Sequence, residues 1–142
     1  VINNGDNYYE IKNTNGIKLS RSDMSALAQA KAANYCGQSI AIKRSGLGIN
    51  EFKHLFLSGG FANYINVDNA KKIGFLIDTP NANVLKIGNS ALNGAIIYLV
   101  NVEERIKIES IVKSIKHVEL ETDENFFDHF VEGCQFKELK VM

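Results

Sequence analysis

Two glycine-bearing turns, Ser58-Gly59-Gly60 and Gly88-Asn89-Ser90, are the stretches of this sequence best suited to chemistry. Each follows a short apolar run and precedes a helical pattern, so each carries the chain from strand into helix. Glycines at such a mouth serve either a tight turn or the close approach of something other than a side chain. Without Cβ atoms the main chain of Gly59 and Gly60 is bare, and its amides can face a ligand. At Gly88-Asn89-Ser90 the amides that open the following helix can accept an anion. The plain alternatives are a strand-to-helix turn at Gly59-Gly60 and a helix cap at Asn89-Ser90.

The other reactive side chains form no constellation. His54, His117 and His129 are separated by distances that match neither metal-ligand nor triad spacing, and they read as structural. Cys36 and Cys134 have no second Cys or His at ligand spacing, so two buried thiols and no metal site are expected. Asp68 and Asp78 read as cap and turn residues, and no residue is assigned a catalytic role.

Composition narrows the class of function. A chain of 142 residues, 45% of them hydrophobic, can bury a real core, and a single domain over 1–142 is expected. Sixteen Lys and Arg balance sixteen Asp and Glu, so no net field recruits nucleic acid or an anionic membrane. The longest apolar run, from Gly94 to Val100, falls far short of the ~20 residues of a membrane span. The opening VINNGDNYYE lacks the basic and apolar regions of a signal peptide, and a cytoplasmic protein is expected. The chain starts at Val1 rather than Met, which reads as a domain excised from a longer protein.

The elements that must position the two turns are legible in order. Tyr8 to Ile11 and Ile17 to Leu19 flank Asn13-Thr14-Asn15-Gly16 as a hairpin with a loop of four or five residues. Ser20 and Asp23 mark the start of a helix that ends near Ser45 before Gly46. Ala26, Ala28, Ala30, Ala32 and Ala33 leave it little bulk, which lets a neighbouring sheet or ligand approach its axis. Leu55 to Leu57 and Asn83 to Ile87 read as strands, and Asn66 as the cap of a short helix running to Gly74. From Ser90 a helix carries Leu92, Ala95, Ile96, Leu99 and Val102 on one face. A second helix opens at Glu103-Glu104, with Ile108, Ile111, Val112 and Ile115 as its core face. His117 to Leu120 is a last strand candidate. Thr122 then caps a helix with Phe126, Phe127, Phe130 and Val131 on one stripe, stopping at Gly133. Alternating strands and helices predict an α/β layer structure with a mixed, largely parallel sheet fed by the opening hairpin. Both glycine turns then lie at the carboxyl ends of neighbouring strands, where open α/β sheets bind ligands.

The runs LFLSGGFANYINVDNAKKIGFL, KIGNSALNGA and HVELETDENFFDHFVEGCQF, in that order, resemble the C-terminal ATPase-like domain of the reductive activators of corrinoid proteins. Those proteins join a ferredoxin-type iron-sulfur domain to a domain of the actin, sugar kinase and chaperone ATPase superfamily, called ASKHA. The resemblance spans Leu19 to Phe136. It implies an actin-like (ribonuclease H-like) C-terminal lobe, in which SGGFANY matches the adenosine-side turn and GNSALNGA the connecting helix that follows.

On this resemblance Ser58, Gly59, Gly60, Phe61, Asn63, Gly88, Asn89 and Ser90 form a surface for ATP or ADP. Lys31 is the nearest match to a nucleotide-touching position on the long helix, with one charge on a solvated face as its alternative. The iron-sulfur cluster belongs to a region N-terminal to this chain. The implied partner is a corrinoid protein or corrinoid-dependent methyltransferase component, and a homodimer is possible through exposed parts of the Phe cluster. The acidic residues needed for phosphoryl transfer lie in upstream phosphate loops of the superfamily, so the isolated chain is expected to bind and dock rather than hydrolyse. Two further classes stay open. Ser25, Ala28 and Ala62 depart from the family pattern and favour a degenerate interaction or dimerisation domain; the shared glycine turn allows a lobe of a small-molecule kinase.

Overall fold

The computed structural model describes residues 2–3 and 8–139. The chain divides into two compact units, one of Val1–Ile40, Asp68–Asp78 and Leu120–Met142, the other of Ala41–Val67 and Thr79–Glu119.

The spine of the first unit is helix α1 (Arg21–Ser45). Its start is a reciprocal cap: the Ser20 amide donates to Asp23 Oδ2 at 2.8 Å, and the Asp23 amide donates to Ser20 Oγ at 3.0 Å. Lys31, Ala32, Tyr35, Cys36, Ser39 and Ile40 are buried along one side. Leu76, Ile77 and Leu139 complete the apolar core around them. The short helix α3 (Val67–Lys72) begins directly after Asn66, and Lys71 pairs with Asp78 at 2.7 Å. What approaches the alanine-rich part of α1 at Ala32 is a helix rather than the expected sheet: a Cβ placed on Gly133, at the end of α6 (Phe126–Gly133), would stand 2.8 Å from Ala32 Cα.

Strands β1 (Ile2–Asn3), β2 (Tyr8–Glu10) and β3 (Lys18–Ser20) form an antiparallel sheet in which Tyr9 faces Leu19. The hairpin forms as expected, though its connection runs from Ile11 to Ile17, closed by the Ile11 amide donating to Ile17 O at 3.0 Å. This sheet is separate from the parallel pair described below, so the hairpin does not feed a single mixed sheet as the alternation of elements predicts. Local antiparallel pairing closes a short loop at small entropic cost and needs no distant partner.

Two further expectations change near the C-terminus. His117 to Leu120 is not a strand and belongs to neither sheet among the described residues, and Leu120–Thr122 is a 3₁₀ turn. Nor does Thr122 open α6. Asp123 Oδ1 accepts from the Asn125 amide at 3.1 Å, and the resulting turn delays the helix to Phe126. Phe126 and Phe130 stack at 6.0 Å, Phe127 is 71% exposed, and the buried side chain of α6 is His129.

The second unit centres on a parallel pair, β4 (His54–Ser58) and β5 (Asn83–Gly88), with Leu55 beside Val84 and Leu57 beside Lys86. The register shifts after Leu57, so that Ser58 faces Gly88. β4 leads into α2 (Gly60–Tyr64), and β5 into α4 (Ser90–Val100), which is followed by α5 (Val102–Ser114). Asn89 and Asn101 cap these last two helices, accepting from the amides of Leu92 at 3.0 Å and Glu104 at 3.1 Å. Arg105 stitches them together, donating from Nε to Tyr98 O at 3.0 Å while its guanidinium lies 5.0 Å from the Tyr98 ring.

The expected core faces of α4 and α5 are not core. Neither helix has a buried residue, and Leu99 and Ile115 are 72% and 67% exposed. α4 is apolar nearly all round and needs cover on several sides, whereas α5 supplies one.

Candidate functional site

The second unit brings both glycine turns to one place. β4 ends at Ser58, and Gly59 follows with φ 97° and ψ 166°, a conformation essentially reserved for glycine, before Gly60 opens α2. β5 ends at Gly88, also left-handed at φ 65°. The Gly59 amide donates to Gly88 O at 2.8 Å, extending the parallel ladder across the point where both strands stop. Ser58 Oγ donates to the same carbonyl at 3.2 Å and lies 2.5 Å from Ser90 Oγ. Ser58, Gly59, Gly88 and Ser90 are thus one hydrogen-bonded group, with Gly60 and Asn89 adjoining it in the chain.

The main chain here is open. A Cβ built on Gly59, Gly60 or Gly88 would meet nothing within 4 Å, so these turns front free space rather than packed side chains. That opening leaves room for a nucleoside or a phosphate against the backbone, although the Gly59 amide, expected to face a ligand, is taken by Gly88 O and the Leu92 amide by Asn89 Oδ1. On α2, Phe61 is 71% exposed and Asn63 is also exposed, while Ala62 is buried.

Lys31 has a different place. It lies in the first unit with its side chain fully buried, and its ammonium donates to Gly133 O and, at 2.6 Å, to Gln135 O, with the Phe136 ring 5.4 Å away. It is therefore not a charge on a solvated face; it caps the C-terminal end of α6. Burial lowers its pKa from the ordinary lysine value, opposed by the nearby Cys134.

Sequence reasoning missed Lys86. From β5 its ammonium donates to Asn63 O at 3.1 Å and to Ile65 O at 2.7 Å, tying down the end of α2. No sequence signal marks this, because partners more than twenty residues apart meet only when β4 and β5 pair.

Other ligand chemistry is limited. Among the described residues no group of three or more His, Cys, Asp or Glu side chains could hold a metal ion. Cys36 is buried, which raises its thiol pKa, and donates to Phe126 O at 3.5 Å; Cys134 is half-buried rather than buried as expected. An iron-sulfur cluster takes four thiolates, and two free cysteines do not fit one. His129 is buried with neither ring nitrogen hydrogen-bonded, its ring edge-on to Tyr35 at 6.2 Å. Among the described residues no helix is long and apolar enough to cross a membrane.

Comparison with known proteins agrees with this architecture. The corrinoid activation enzyme RamQ of Eubacterium limosum is 32% identical over 142 residues, covering 96% of this chain and 24% of RamQ. The chain therefore spans about a quarter of that curated relative's length. A solved structure, the reductive activator for corrinoid, iron-sulfur protein, superposes with a TM-score of 0.75 at 24% identity, over 94% of this chain and 23% of that one. That likeness shows a shared α/β fold. The pattern of the family described as the C-terminal domain of RACo, the ASKHA domain, matches residues 5–142, and the chain belongs to that family.

Proposed function

We propose that this chain is a nucleotide-binding or regulatory and docking lobe of a redox protein that reductively activates corrinoid proteins in an ATP-linked way. The observation that carries the reading is the pair of bare turns joined by the Gly59 to Gly88 hydrogen bond, with open space before Gly59, Gly60 and Gly88. Kinship with corrinoid activators supports the biological setting. ATP or ADP would rest on Gly59, Gly60, Gly88, Asn89 and Ser90, flanked by Ser58, Phe61 and Asn63. Within a longer protein, this lobe would help pass an electron from an iron-sulfur cluster held elsewhere to cobalt(II), giving cobalt(I). A corrinoid protein or methyltransferase component is the proposed partner, and the chain alone should not turn over ATP.

A second reading, an interaction or dimerisation domain with a degenerate cleft, is favoured by α4, whose apolar side chains are left uncovered. Calorimetric titration with ATP, ADP and AMP separates the two. Saturable heat that is lost when Gly60 gains a side chain supports the nucleotide lobe. Absence of heat with all three nucleotides leaves the docking reading.

A further inference from the structure

We infer that Lys86 is a positioning residue for the first glycine turn, a role that rests on the nucleotide reading above. α2 has five residues, too few to persist as a helix alone, and it starts at Gly60 itself. Ala62 supplies its buried contact. Its C-terminal carbonyls lack helical partners. The Ile65 amide takes Phe61 O at 3.2 Å, and the Lys86 ammonium takes Asn63 O at 3.1 Å and Ile65 O at 2.7 Å.

Lys86 also joins the two turns mechanically. It pairs with Leu57 across the sheet and lies just before Gly88 on β5. One side chain therefore fixes the far end of α2 to the strand that carries the second turn, while the Gly59 to Gly88 bond fixes the near end. With both ends held, the Gly60 amide, Phe61 and Asn63 keep one orientation relative to Gly88, Asn89 and Ser90. The ammonium is occupied by carbonyls, so it acts through α2 rather than on the ligand. Lys86 is exposed, and solvent screening keeps the tether moderate in strength.

The test pairs ADP titration of the 142-residue chain with amide hydrogen exchange, in wild type, Lys86→Met and Lys86→Arg. For Lys86→Met we expect roughly three- to tenfold weaker ADP binding and faster exchange of similar size confined to α2 and its turn. Lys86→Arg, which keeps charge and donors, should restore most of both. Unchanged exchange in α2 overturns the inference, whether or not affinity falls, because a loss of affinity alone means direct contact with nucleotide. If wild type binds no ADP but exchange in α2 still quickens, the tether stands and the nucleotide reading fails. Should Lys86→Met not fold, Lys86→Gln carries the same comparison.

Discussion

The amide of Gly59 and the carbonyl of Gly88 meet at 2.8 Å where two parallel strands end together, and this bond sets both glycine turns side by side. The two glycines of the first turn can be separated by mutation. Gly59 has φ 97°, so Gly59→Ala should cost about 1–3 kcal/mol of stability through backbone strain. Gly60 is helical with open space before it, so Gly60→Ala should leave stability within about 1 kcal/mol of wild type or slightly above it. A ligand-facing turn loses ADP affinity in Gly60→Ala without loss of thermal stability. Equal ADP binding by Gly60→Ala and wild type would show that the space before this residue is not used.

Lys31 should matter for folding and not for ligand. Lys31→Met removes the donor from the buried Gly133 carbonyl and from the half-buried bond to Gln135 O, at a cost of about 1–3 kcal/mol. Urea unfolding should detect that loss while calorimetry finds ADP binding unchanged. A selective loss of affinity at full stability would return Lys31 to the nucleotide site.

The start of α1 should be sensitive to acid. Hydrogen bonds from the Ser20 amide and hydroxyl hold the Asp23 carboxyl below its usual pKa. With the folded value depressed, its stabilisation is complete above the ordinary carboxylate range and is lost as pH falls through the lowered value. Amide exchange in the first turn of α1 should quicken across that window. Asp23→Asn should remove most of the pH dependence, whereas an unchanged profile in the variant would assign it to another carboxylate.

Local patterns were the legible part. The Ser20-Asp23 cap, the extent of α1, the two strands that lead into glycine turns and the cap before α4 all follow from short-range geometry, whereas the Asn101 cap of α5 went unread. Family kinship, too, was readable from the order of SGGFANY, GNSALNGA and the Phe-rich segment. The caps, helix and strands depend on residues a few positions apart, whose constraints act on the chain before any tertiary contact forms.

Tertiary structure decided what depends on distant partners. Whether Lys31 faced solvent or capped α6, and whether Lys86 had any role, turned on carbonyls brought close only by folding. Likewise, helical spacing marked the apolar faces of α4 and α5 but could not say whether anything covers them, since periodicity records a side chain's direction and burial requires a neighbour.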